Sequence, residues 1–190
     1  MDESVIAAIA HWPDVPHVHG WLSLDRRGRW RLKDSPISNR QVIEFIGRNY
    51  EADEHGAWFF QNGPQRVYVR LDYTPWILRI GDRQSLVTHT GIAVDDACEA
   101  LLDEEGNLLI AFKRGIGLVE GRDLAAFLDS IFDVHGSHVD EAMLSRMMGG
   151  EKLPLEFRWP GLKIALNSIH SNAVPARFGF IANPTSADLG

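Results

Sequence analysis

The stretch WLSLDRRGRWRL, residues 21–32, carries the first clear structural signal in the chain. Trp21 to Leu24 alternates, Asp25-Arg26-Arg27-Gly28 carries turn chemistry, and Arg29 to Leu32 alternates again, so the segment reads as a β-hairpin. The same grammar returns at residues 100–112, ALLDEEGNLLIAF, where Ala100 to Leu102 and Asn107 to Phe112 flank the turn Asp103-Glu104-Glu105-Gly106. Two hairpins of one design in one chain predict a β-rich α+β protein made of two similar hairpin–helix–sheet halves, a duplication.

Working outward from the first hairpin, Ser4 to His11 reads as a short helix, ended by Trp12-Pro13 and a connector through Gly20. Ser38 or Asn39 can cap a helix whose apolar positions Val42, Ile43, Phe45 and Ile46 recur at helical spacing, ending near Tyr50. A second hairpin follows: Asp53-Glu54-His55-Gly56 turns into Ala57 to Gln61, and Asn62-Gly63-Pro64 turns into Arg66 to Asp72. Trp76 to Ile80 adds another strand. In the second half Arg122 to Phe132 matches the first helix, with Phe127 where Phe45 falls after a drift of four residues. Leu162 to Leu166 resembles Val67 to Leu71, and each is followed by a turn containing proline, Pro175 and Pro75. His138 to Met148 reads as helix where the first half has a hairpin. The expected division is residues 1–18 as helix and connector, 19–90 as the first half and 91–190 as the second.

The 190 residues are 45% hydrophobic, enough for a folded core, and the net charge of −7 argues against a nucleic-acid duplex as partner. A local basic run stands out. As a strand it puts Arg29, Arg31 and Lys33 on one face and Trp30 and Leu32 on the other, a solvated face or an anion patch. The lone cysteine, Cys98, cannot form an intramolecular disulfide, which fits a reducing cytosol and a cytoplasmic protein. The apolar run Val5 to Ala10 is short and lacks a basic flank, so no signal peptide is expected. No stretch approaches the roughly 20 apolar residues that span a bilayer.

Motif by motif, the sequence leans away from an enzyme. Gly115 to Gly121 has the wrong spacing for a dinucleotide fingerprint and reads as a hairpin turn. Asp103 to Asn107 lacks the later glutamate of a calcium loop. No nucleophile elbow or phosphate-binding loop is present, no acid/base pair can be nominated, and no cofactor is called for. The histidine pairs His17/His19 and His135/His138 have no carboxylate or cysteine partners at metal-ligand spacing. A metal-dependent hydrolase using His135 and His138 is therefore the alternative, with no metal in the leading reading.

The segment from Trp58 to Trp76 concentrates aromatic and hydrogen-bonding side chains around two turns, the composition of a small-molecule or peptide surface. Its blander reading is core packing. The leading expectation is a cytoplasmic binding or regulatory protein whose site lies between the halves and uses Arg29, Gln61, Arg66, Tyr68, Tyr73, Trp76 and Arg177. Arginine would pair with an anionic group and the aromatics would stack on a planar one. A third class is a protein–protein interaction module. Oligomeric state is not set by the sequence.

Gly28-x-Trp30, Ser35-Pro36-Ile37, Phe45, Asp53-x-x-Gly56-x-Trp58-Phe59, Gly63-Pro64, Arg66-Val67-x-Val69 and Asp72-x-x-Pro75 resemble the proteobacterial family labelled domain of unknown function 1285, over residues 19–80. The resemblance implies a duplicated β-rich α+β fold, a second half loosely similar to pleckstrin-homology domains, a ligand site between the halves and a role in signalling. It brings no catalytic residues.

Overall fold

The computed structural model describes residues 1–11 and 17–186, and divides them into two compact units, Met1–Pro75 with the segment from Gly179, and Trp76–Phe178. Connector residues 12–16 and the last four residues lie outside the described set.

The first unit contains α1 (Glu3–His11), β1 (Val18–Leu24), β2 (Trp30–Leu32), β3 (Ser35–Pro36), α2 (Arg40–Arg48), β4 (Tyr50–Ala52), β5 (Trp58–Asn62) and β6 (Gln65–Leu71). They form a six-stranded sheet in the order β3-β2-β1-β6-β5-β4, antiparallel except for the central β1–β6 pair. α2 begins at Asn39, whose side-chain oxygen accepts from the Val42 amide at 3.2 Å and satisfies one of the donors a helix start leaves over. The C-terminal segment returns to this unit through Ile181 N–H to Gly56 O and Leu71 N–H to Ala182 O. Gly56 is required there: its φ is +84°, and a Cβ would stand 2.1 Å from the Gly179 carbonyl oxygen.

The second unit contains β7 (Trp76–Ile80), β8 (Leu86–Thr88), β9 (Glu99–Asp103), β10 (Leu108–Phe112), β11 (Gly115–Val119), α3 (Leu124–Leu128), β12 (Ile131–Asp133), α4 (Glu141–Met148), β13 (Leu155–Trp159), β14 (Leu162–Ile169) and α5 (Val174–Phe178). Its eight strands run β12-β13-β14-β9-β10-β11-β7-β8. Read from β11 to β12 this repeats the first sheet strand for strand, with β9–β14 as the parallel pair corresponding to β1–β6.

The registers repeat as well. Leu24 pairs with Trp30 and Leu71, and its counterpart Leu102 pairs with Leu108 and Ser168. The halves are thus α+β repeats of one design, as the paired hairpins predict. Their shared turn is explicit in the hydrogen bonds. Asp25, Asp53, Asp103 and Asp133 each accept, through Oδ1, the amides two and four residues on, and each donates its own backbone amide to the carbonyl of the fourth residue on. The carboxylate holds the turn that glycine at the next-to-last position permits. The Asp133 turn, in Asp133-Val134-His135-Gly136-Ser137, is the counterpart of Asp53 to Ala57; α4 follows it, before the chain returns as β13.

The drift between the repeats has a simple cause. Leu32 and Ile110 are 78 positions apart, but Pro36 and Leu118 are 82, because the β10–β11 hairpin continues past Ile110↔Gly117 through Ala111↔Ile116 and Phe112↔Gly115. β2–β3 turns immediately after Leu32↔Ser35.

Several expectations are corrected. The match of Leu162 with Val67 is two residues out, since Leu166 faces Ala100 as Val69 faces Leu22, which aligns Ile164 with Val67. Helix α3 stops at Leu128, and Ile131 already belongs to β12. Gly115 to Val119 is not a turn but strand β11, where Gly117 lets β7 approach in parallel: a Cβ there would lie 2.5 Å from the Leu78 side chain. Trp76–Ile80 pairs with that strand in the second unit.

Candidate functional site

In the first unit α2 lies across the face of the sheet that carries Leu22, Leu32, Phe60, Asn62, Gln65 and Val67. Helical spacing directs Val42 and Ile46 toward it, and Phe45 meets Phe60 edge-on with ring centroids 5.4 Å apart. Between helix and sheet remains a cleft of about 470 Å³, walled also by Val18, Trp21 and Ile37. Its mouth exposes large apolar surface: Trp21 is 50%, Leu32 48% and Val42 42% accessible. The polar lining is two amides, Asn62 and Gln65, which face each other across the β5–β6 hairpin.

The second unit supplies an internal comparison. By register, Phe60, Asn62 and Gln65 correspond to Phe157, Trp159 and Leu162. Phe127, the counterpart of Phe45, is fully buried and stacks on Trp159 at 4.4 Å and on Phe157 at 5.9 Å. An aromatic stack therefore fills the place that in the first unit is a cleft, and the change of Trp159 to Asn62 is the largest reduction in volume at that place.

The residues expected to bind ligand are placed otherwise. Alternation along β5 and β6 puts Gln61, Arg66 and Tyr68 on the sheet face opposite α2. Gln61 is buried and donates from Nε2 to the Gly63 carbonyl at 2.9 Å. Arg66 lies over the Phe59 ring at 4.6 Å. Tyr68 is buried, stacked on His19 with centroids 4.7 Å apart, and its hydroxyl donates to Asp53 Oδ2 at 3.2 Å. Burial raises the Tyr68 hydroxyl above its ordinary range, and burial together with Arg66 and His19 lowers His17. Arg29 pairs with Asp25 at 2.7 Å, and Arg26 lies 4.8 Å from the Tyr73 ring. In the second unit Trp76 is buried and donates from Nε1 to the Arg114 carbonyl, while Arg177 pairs with Glu99.

The basic run is also internally engaged. Arg31 donates to the Asp34 carbonyl from both Nε and Nη2, and Lys33 lies 3.8 Å over the Trp21 ring. Lys33 and Asp34 have φ of +44° and +67° and form the β2–β3 turn, so the basic alternation ends at Leu32. Leu32 is half-exposed because it lines the cleft.

Of the histidines proposed as metal ligands, His135 is an exposed turn residue whose amide donates to Asp133, and His138 packs its ring 4.4 Å from Phe132. Among the described residues no three His, Cys, Asp or Glu side chains are placed to share a metal ion. In the sequence the apolar face of α2 is legible from its spacing, whereas Trp21 and Leu32 look like ordinary strand residues.

No helix among the described residues is long and apolar enough to cross a membrane. No curated protein matches the sequence. Among solved structures, the crystal structure of a DUF1285 family protein from Silicibacter pomeroyi DSS-3 is similar over 89% of this chain and 97% of that one, with a TM-score of 0.54 at 12% identity. That likeness shows a shared fold over most of both chains. The model of DUF2944, described as "Protein of unknown function (DUF2946)", matches residues 1–185, and the chain belongs to that family.

Proposed function

We propose that this chain is a binding protein that holds a small, largely apolar molecule between α2 and the six-stranded sheet of its first unit. The observation that carries the reading is the contrast between repeats: aromatic side chains pack the α3 side of the second sheet, whereas Asn62 leaves a cleft of about 470 Å³ on the α2 side of the first. That volume is within the range of small-molecule sites, on the order of 300–1,000 Å³, and its apolar walls with a few polar groups have their composition. Exposed Trp21, Leu32 and Val42 at the mouth cost solvation until covered. A regulatory protein would use such binding to report the presence of its ligand.

The test is binding of the neutral fluorophore N-phenyl-1-naphthylamine to wild type and to Asn62→Trp, which copies the second unit. Saturable binding by wild type, weakened about tenfold or more in the variant while the circular dichroism spectrum is kept, supports the cleft as the site. Equal binding by both removes it.

A further inference from the structure

Resting on that reading, we infer that the molecule in the cleft is uncharged: a linear or planar hydrocarbon skeleton carrying one neutral hydrogen-bonding group, of the alcohol, amide or ester class. Among the described residues, no Asp, Glu, His, Lys or Arg lines the cleft. The nearby cations are engaged elsewhere. Lys33 packs on the Trp21 ring and lines a separate shallow hollow, where Arg70 pairs with Asp34 at 3.1 Å. Arg31 is spent on the Asp34 carbonyl, and Arg66 belongs to the opposite face of the sheet.

A carboxylate or ammonium drawn between Val42, Ile46, Phe60 and Val67 would lose its water without gaining a counter-ion, a loss that apolar contact does not offset. A hydroxyl or carboxamide asks less. The primary amides of Asn62 and Gln65 carry donors and acceptors, so either can pair with a neutral hydroxyl, carbonyl or N–H group. The volume of about 470 Å³ lies within the range of about 300–1,000 Å³ found for small-molecule sites.

The discriminating experiment displaces N-phenyl-1-naphthylamine from the wild-type protein with octanamide, octan-1-ol and octanoate at pH 7.5, where octanoate is ionised. The two neutral compounds are expected to displace the probe at about tenfold lower concentration than octanoate, and Asn62→Leu to weaken octanamide about fivefold while the probe still binds. Octanoate competing as well as octanamide overturns the inference while leaving the cleft reading intact, provided Asn62→Trp weakens probe binding about tenfold or more. A probe that does not bind wild type, or binds Asn62→Trp equally, removes both.

Discussion

Trp159 stacks on Phe127 with ring centroids 4.4 Å apart and planes 21° from parallel. The corresponding position in the first repeat is Asn62, which lines the cleft with Phe60, the ring that Phe45 meets edge-on. The two repeats therefore share strand order, register and turn chemistry but solve the packing of helix on sheet differently. A core filled by interdigitating aromatics gains contact with every neighbour, whereas a cleft leaves those contacts to a ligand.

Trp159→Asn should therefore be costly where Asn62→Trp is not. It removes the stack on Phe127 and the hydrogen bond from Trp159 Nε1 to the Gln84 carbonyl at 2.6 Å. A loss of about 3 kcal/mol is expected, read as a lower urea midpoint with an unchanged slope. Asn62→Trp should leave the midpoint the same or raise it.

The repeated aspartate turns differ in depth, and their substitutions should rank accordingly. Asp103 is fully buried, and it holds the amides of Glu105 and Asn107 and the Asn107 side-chain amide. Asp103→Ala should cost about 2–3 kcal/mol, more than Asp133→Ala at the exposed turn. Urea titrations of the two variants test the order.

Acid should reach the Asp25 turn through its carboxylate. Burial pushes that carboxyl up, but the Arg29 amide, the Arg29 guanidinium and the Arg27 amide outweigh it and hold the group below its ordinary value of 3.8. A group with a depressed folded value stabilises the fold fully above the unfolded value and loses that contribution as pH falls through the folded one. Asp25→Asn should accordingly flatten the fall in stability below about pH 4, measured by denaturant midpoints at successive pH values.

His89 should govern a higher window. Its Nδ1 accepts the Ile77 amide at 3.3 Å, and burial, with Arg79 adding to it, lowers the ring from 6.5 to about 3. Between those values the unfolded chain binds a proton that the native protein does not, so stability rises with pH across the window and is lost on acidification. Replacing it in His89→Gln should reduce the slope between pH 6.5 and 4; an unchanged slope would mean that the native ring is protonated there.

Gly56→Ala should release the C-terminal segment from the first sheet. The new Cβ would meet the Gly179 carbonyl oxygen, and a non-glycine residue at φ +84° is strained in addition. A loss of about 3 kcal/mol and faster proteolysis after residue 178 are expected, the latter read by mass spectrometry of the fragments.

The repeat is legible in the chain, because strand alternation and Asp-x-x-Gly turns are local properties written in consecutive residues such as Asp25 to Arg29 and Asp103 to Asn107. The spacing of Val42, Phe45 and Ile46 and the Asn39 cap place α2 for the same reason. Local pattern could not choose among roles for side chains that only meet across strands. Gln61, Arg66 and Tyr68 look like a ligand surface in the chain, but period-two alternation sets them opposite α2, where Gly63, Phe59 and Asp53 already engage them. The cleft itself depends on side chains that meet across strands: Leu22 with Val69, far apart in the chain, Phe60 with Val67 within one hairpin, and the helix laid over them. Whether such a space is filled depends on the volume of one residue facing it, Asn62 or Trp159, and only the register of β5 on β6 and of β13 on β14 reveals that the two are counterparts.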